Sequence, residues 1–376
     1  MQANNFKNSQ DSKNTGITLY SEENNKKQFK FIDLENESKK FTKVLINLGV
    51  TSSDNIVILT ESLPQSHTAF WGCKSLGNSP TIIDPKKDTN QIKENLISTS
   101  AKIVITTQNF RKKISQIIFH LFDLQHIIII DDYNDNLKEI DIQDLSYNDE
   151  IDKIEENFSN IDVFNTNQLE NFSLIKNFIQ DGEYPKIWSL YKFNSPVNIL
   201  FSLIAPKIFQ LHQLIVINKI SLNDYLDLLA KEKISIWCVY PEILYAFLNK
   251  LDIKTKTPNL HLKTIITEPG LLKINDILKI EKLLNVKIFY FWENQEINEI
   301  ISANHPNQYK LGTAGKPEEK FDIKILNKNN SKQKKEKEGN IALRVKTNSP
   351  DHKWVITNQK GMLDQDGFLW IKNKLT

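Results

Sequence analysis

Asp364 and Asp366 are two carboxylates two residues apart, a pairing suited to general acid–base work. Gly367 follows them directly, however, and Asp-x-Asp-Gly is β-turn composition. The seven histidines (His67, His120, His126, His212, His261, His305 and His352) show no i, i+4 spacing that would present two imidazoles to one metal. Cys73 and Cys238 are far apart in apolar surroundings, which excludes a disulfide framework and a cysteine zinc site; Cys238 reads as an inert buried thiol. No G-x-S-x-G elbow, G-x-G-x-x-G turn or Walker loop occurs. The glycines themselves are scarce: 11 in 376 residues, where average usage gives roughly 26. None lies between Gly77 and Gly182. A loop that wraps backbone N–H groups around phosphate needs glycine for close approach, so that stretch is poorly suited to cradling a triphosphate.

Hydrophobic residues make up 40% and charged residues 25%, the balance of a globular chain. A net charge of +2 gives no argument for nucleic acid or an anionic membrane. Arg111 and Arg344 are the only arginines, so bidentate clamping of carboxylate or phosphate is almost unavailable. The abundance of Lys, Asn and Ile beside them reads as A/T-rich coding bias. No apolar run approaches the ~18 residues of a membrane span. Met1 to Asn14 is polar, lacks arginine and reads as a disordered leader rather than a targeting peptide. The cytosol is the default compartment, with an organelle left open.

The elements that would position any site alternate. Asp33 caps an expected helix with Leu34, Phe41, Val44, Leu45 and Leu48 on one face, closed by Gly49. Strands are expected at 55–59, 81–83, 103–105 and 127–130, with helices near 65–76 and 91–97 between them, a pattern of parallel βαβ units. Residues 140–170 are acidic, rich in asparagine and expected as a loop. Strands at 214–217, 234–239, 264–266 and 286–291 alternate with helices at 222–230, after Pro241, and at 274–284. Beyond Gly312 the period shortens to two, at 321–325 and 340–345, with the lysine-rich 328–337 as a solvated hairpin loop.

In order and spacing these segments resemble the N-terminal domain of AMP-forming acyl-CoA synthetases, within the adenylate-forming (AMP-binding) superfamily, with the medium-chain branch most similar. The resemblance runs from about Gly16 to Ile371. It is carried by Leu48-Gly49, Asp54 to Val57, Trp71 to Lys74 and Asp84-Pro85 in the opening block, and by Asn198 to Leu203 and Val239-Tyr240-Pro241. Glu268-Pro269 is similar to the family's G-E-P turn beside adenine, with Thr267 in place of the glycine. Gly312 to Pro317 resembles G-T-x-G-K-P, Gly339 to Lys346 resembles G-D/E-I-x-x-R-V-K, and Trp354 to Trp370 follows W-x-x-T-G-D-x-G-x-x-D-x-D-G-Y/F, in which Asp364 and Asp366 form a turn.

The resemblance implies an α/β fold class: two parallel-rich α/β subdomains plus a small antiparallel β-subdomain. The expected division is a leader at 1–16, a first subdomain at 17–190, a second at 191–310 and the β-subdomain at 311–376, the chain stopping before the family's C-terminal domain.

The departures from the family fall on its chemistry. The phosphate loop T-S-G-T-T-G-x-P-K corresponds to 160–176, which has no glycine or proline and is acidic. In Y-G-x-T-E, Trp292 replaces the tyrosine, Glu293 the glycine and Gln295 the threonine, while Glu296 stands where the family binds magnesium. In T-G-D, Asn358 and Gln359 replace the glycine and the ribose-binding aspartate; Gln359 donates to a hydroxyl but cannot accept from both as a carboxylate does. The expected site is therefore vestigial: Glu296 without a triphosphate to serve, and Glu268, Pro269, Trp292 and Gln359 as remnants of a nucleotide pocket. No cofactor is expected, and the chain reads as a non-catalytic structural or interaction subunit with a protein partner or a second copy of itself. Two alternatives stand beside this. One is an acyl-CoA ligase of fatty acid metabolism whose C-terminal domain comes from another chain, using ATP, magnesium and CoA. The other is a sensor of acyl, CoA or nucleotide ligands.

Overall fold

The computed structural model describes residues 16–20, 26–131, 142–155, 172–179, 185–209, 211–216, 221–250, 260–294, 297–346 and 354–372. Among these the strands form three sheets. The first is five-stranded and wholly parallel, in the order Thr81–Ile82, Ile56–Leu59, Ile103–Thr106, His126–Ile129 and Gln143–Ser146. Its runs of Ile and Val are continuous because both faces are covered. Ile56, Ile58, Ile103 and Ile105 pack with Phe41, Leu45 and Trp71 from helices Phe31–Asn47 and Pro64–Ser75. Val57, Leu59, Val104 and Ile127 face the other way, onto Ile92 and Leu96 of helix Thr89–Ser98 and Ile114 of Gln108–Ser115.

The second sheet has nine strands: Lys316–Pro317, Glu299–Ala303, Lys287–Asn294, Thr264–Thr267, Ile236–Cys238, Ile187–Ser189, Gln213–Val216, Gly16–Tyr20 and Lys26–Lys30. The six from Lys287–Asn294 to Gly16–Tyr20 are parallel. At one edge lies Lys26–Lys30, whose lysines discourage further pairing. The apolar layer between the two large sheets is shared, joining Ile56 and Ile105 with Ile187, Ile236, Ile266 and Phe291. The third sheet is antiparallel: Phe321–Leu326, Gly339–Val345, Val355–Leu363 and Leu369–Ile371. Gly315 joins it to the nine-stranded sheet. Leu369 N donates to Gly315 O at 2.8 Å, and at φ +80° a Cβ on Gly315 would lie 1.9 Å from Ala303 O, so only glycine fits there.

Two parallel-rich sheets and a small antiparallel one are what the sequence leads one to expect, with Ile56–Leu59 and the buried Ile288 to Phe291 in different sheets. Three details differ. Helix Phe31–Asn47 begins two residues before Asp33, because strand Lys26–Lys30 runs straight into it; Asp33 lies in the first turn, where its charge still complements the helix dipole. Within the expected 140–170 loop lie a strand, Gln143–Ser146, and a helix, Tyr147–Asp152. Tertiary bonds hold both: Arg111 Nε to Asp144 at 2.8 and 3.0 Å, and Tyr147 Oη to Glu37 Oε1 at 2.9 Å. Finally, Gly16–Tyr20, Lys26–Lys30 and Ile187–Ser189, which the division at residue 190 puts with the first subdomain, pair in the nine-stranded sheet. The N-terminal leader to residue 15, residues 160–171 of the window expected to match the phosphate loop, and Gln295 and Glu296 lie outside the described residues.

Candidate functional site

The residues that the resemblance assigns to a nucleotide come from the carboxyl ends of the nine-stranded sheet and from the third sheet. Strand Lys287–Asn294 delivers three consecutive side chains to three surroundings. Phe291 enters the shared core and stacks on Phe201, ring centroids 5.5 Å apart. Trp292, 3% exposed, points to the opposite face and packs among Phe321, Ile325, Ile341, Leu343 and Leu369 of the third sheet. Its Nε1 donates to Gln359 Oε1 at 2.5 Å. The register with Glu299–Ala303 shifts at this point, a bulge of the kind that re-aims side chains at a strand end.

Glu293 is the residue that sequence reasoning did not place. Its Oε2 accepts from Ser195 Oγ at 2.7 Å and from Val197 N at 3.2 Å. It therefore sits on the amino end of a continuous helical segment spanning 196–209, whose middle, Ile199–Ile204, is π-helical. That position satisfies one of the N–H groups every helix start leaves free. Burial nevertheless pushes the Glu293 carboxyl above its ordinary range, outweighing both hydrogen bonds. The one signal in the sequence was an acidic residue where the family pattern has glycine; its partners are 96 and 98 residues away.

Glu268 follows Thr264–Thr267 directly, and a bend begins at Pro269. Nearby, Tyr191 and Tyr240 pack with ring centroids 4.5 Å apart, and Tyr240 Oη accepts from Lys192 N at 3.0 Å. Burial, with the carboxylates of Glu268 and Glu293 adding to it, pushes Tyr240 up to about 12 and raises Tyr191 as well. The fields of both carboxylates thus reach one aromatic pair, an electronegative setting for any phosphate.

Asp364 and Asp366 form a turn with Gly367, whose N donates to Asp364 O at 3.1 Å. Both carboxylates hold Lys310 Nζ, at 2.7 and 3.0 Å. Burial works to raise the Asp364 carboxyl, but Lys310, Phe368 N and the Trp370 indole together hold it below its usual range. Neither arginine is free for a phosphate: Arg111 pairs with Asp144, and Arg344 pairs with Asp322 and lies over Trp354. Among the described residues no group of three or more His, Cys, Asp and Glu is placed to hold a metal. Nor is any described helix long and apolar enough to cross a membrane.

No family model matches the chain. Over 369 residues it is 21% identical to the 2-succinylbenzoate–CoA ligase of Oceanobacillus iheyensis, covering 92% of this chain and 73% of that one. It is 22% identical over 391 residues to 4-coumarate–CoA ligase 1 of Petroselinum crispum, covering 92% and 71%. The fold superposes on an acyl-CoA synthetase of Brucella canis with a TM-score of 0.75 at 12% identity, over 98% of this chain and 73% of the other. The chain is thus similar to CoA ligases over most of its length, and its fold is that of acyl-CoA synthetases. The residues that the resemblance aligns with the nucleotide are engaged within the chain. Trp292 is 3% exposed, and Gln359 Oε1 accepts its indole N–H.

Proposed function

We propose that this chain keeps the body of an AMP-forming CoA ligase without its adenylating chemistry and works as a structural or interaction subunit. The hydrogen bond between Trp292 and Gln359 supports this most directly. The two side chains that the resemblance aligns with adenine and ribose satisfy each other, and the indole is packed in the core of the third sheet. Electrostatic stabilisation at the reacting phosphoryl is commonly the largest part of a transferase's rate enhancement. Here the residues near that end are carboxylates already bonded to a helix start or facing tyrosines, and both arginines are paired.

Calorimetry with AMP tests the reading. A stacked base contributes ~1–3 kcal/mol, whereas a millimolar complex already needs about 4 kcal/mol, so binding weaker than ~1 mM is expected. A micromolar Kd that Gln359→Ala weakens would overturn it. The proposed role further requires a stoichiometric partner, or a second copy of the chain, on purification of the native assembly and mass measurement. A monomer recovered alone would remove the subunit role.

A further inference from the structure

The net charge of +2 is unevenly spread along the chain. Residues 311–376, which hold the third sheet, carry 14 basic and 8 acidic side chains, whereas the rest of the chain carries 34 and 38. The excess gathers in the hairpin 327–338, between strands Phe321–Leu326 and Gly339–Val345, where Lys328, Lys332, Lys334 and Lys337 are all exposed. The hairpin is laid against its sheet rather than trailing from it. Gln333 N donates to Ile325 O at 2.7 Å, Glu336 N to Leu363 O at 2.8 Å and Lys335 Nζ to Gln365 O at 3.0 Å. Its two carboxylates are taken up inside the chain, Glu338 by Lys372 Nζ at 2.9 Å and Glu336 by the Gln365 amide at 3.1 Å. The four exposed lysines make no ion pair among the described residues.

The outer face of the same sheet continues this surface. Lys360 lies opposite Asn340 at the base of the hairpin, and Lys324, Ala342 and Ile356 follow as one row across three strands. Ile356 is 49% exposed, while its neighbours Val355 and Thr357 turn toward the sheet's core. Beyond it Trp354 holds two cations, with Lys324 Nζ 3.8 Å and Arg344 Cζ 4.9 Å from its ring centroid. Neither Lys324 nor Lys360 has a carboxylate partner among the described residues. Like charges gathered without counter-charges repel one another and gain when an anion arrives between them.

We infer that the hairpin 327–338 and the outer face of the third sheet dock an acidic segment of a partner protein that also carries an aliphatic side chain. The inference rests on the interaction-subunit reading and names the chemistry of the partner. Charge complementarity supplies the carboxylates: the unpaired lysines steer an acidic segment to this face and set its register. Ile356 supplies the apolar contact, the one large apolar side chain that the third sheet exposes among the described residues. Nucleic acid suits the face less well. Base stacking needs a free aromatic ring, and Trp354 already holds two cations. Forked recognition of phosphate needs arginine, and Arg344 is paired with Asp322 at 2.9 Å. An anionic membrane would be met by a broad apolar face, which one isoleucine does not make.

Fluorescence anisotropy on the full chain tests the inference, with a labelled peptide of four Glu-Glu-Leu-Ser repeats as probe. Binding at about 50 mM salt is expected, weakened roughly tenfold at about 200 mM, because exposed charges are screened. The double variant Lys332→Glu, Lys334→Glu should lose roughly tenfold or more. Both positions are exposed, so its melting temperature should stay that of the wild type. Replacing leucine by serine in the peptide should weaken binding to the wild type roughly threefold, and Ile356→Thr should no longer tell the two peptides apart. No binding at low salt, equal binding by the lysine double variant, or tighter binding of oligo-thymidine or of phosphatidylserine vesicles would each overturn the inference. A native partner recovered while the peptide fails would remove this inference and keep the subunit reading. Peptide binding by a chain that purifies alone would keep the docking surface and remove only the stoichiometric subunit.

Discussion

The seams on either side of the nine-stranded sheet have opposite character. Where it meets the third sheet, polar side chains are bonded within the chain: Trp292 to Gln359, Glu293 to Ser195 and Val197, Lys310 to Asp364 and Asp366. Where it meets the five-stranded sheet, Thr60 Oγ1, Tyr191 Oη and Gln213 Oε1 lie buried in the wall beside a cavity, without a partner. A polar group closed by internal hydrogen bonds adds to the fold and has little left to offer a ligand; one left unsatisfied costs stability until something completes it. The difference separates a seam whose polar groups are satisfied within the chain from one where some are not.

Trp292→Ala should break the closed seam most severely. Removing a fully packed indole from the third sheet's core is expected to cost about 3–5 kcal/mol, read by chemical denaturation, because the cavity left behind collapses only partly. It should not bring adenylation with it. A loss under about 1 kcal/mol would mean that the indole is not part of that core.

The two seams should also respond to pH with opposite signs. His67, beside the open seam and stacked on Phe193, is pushed by burial from 6.5 down to about 3. Between these values the unfolded chain takes up a proton that the folded one refuses, so stability present above pH 6.5 is lost as pH falls toward 3. Glu293 is raised instead, so the folded state holds its proton longer than the unfolded one. Its contribution is present at acid pH and is lost as pH rises past the ordinary glutamate range. Melting curves of His67→Gln should therefore show a flatter acid limb than wild type, and those of Glu293→Gln a relative gain at neutral pH. Parallel pH profiles for wild type and both variants would contradict the two assignments.

The smallest effect is expected at the open seam. Thr60→Val and Gln213→Leu should be neutral or stabilise by up to about 1 kcal/mol in the absence of ligand, since neither loses a hydrogen bond. A loss of about 2 kcal/mol or more in either would show that the oxygen has a partner after all and would erase the contrast.

The sequence made the framework easier to read than either seam. Ile56–Leu59 is a run of Ile, Val and Leu buried on both faces, and helix Ile274–Leu284 shows its period plainly. Strands Lys26–Lys30 and Gln143–Ser146 were missed because they are polar edges, the second held by a buried arginine from another helix rather than by apolar pattern. Substitutions at Trp292 and Gln359 were visible against the family pattern, but not that the two bond each other, 67 residues apart. The open seam left no local trace. Thr60, Tyr191 and Gln213 belong to separate strand ends, and only the packing of two sheets brings them to one cavity.

ATP–pyrophosphate exchange by the purified chain, across a series of fatty and aromatic acids, tests the central claim most directly. Adenylation is the step that the proposed closing of Trp292 onto Gln359 argues against, so exchange indistinguishable from a protein-free control is the expected result. Exchange above that control, abolished by Glu296→Ala, would contradict the account and return the chain to the working ligases.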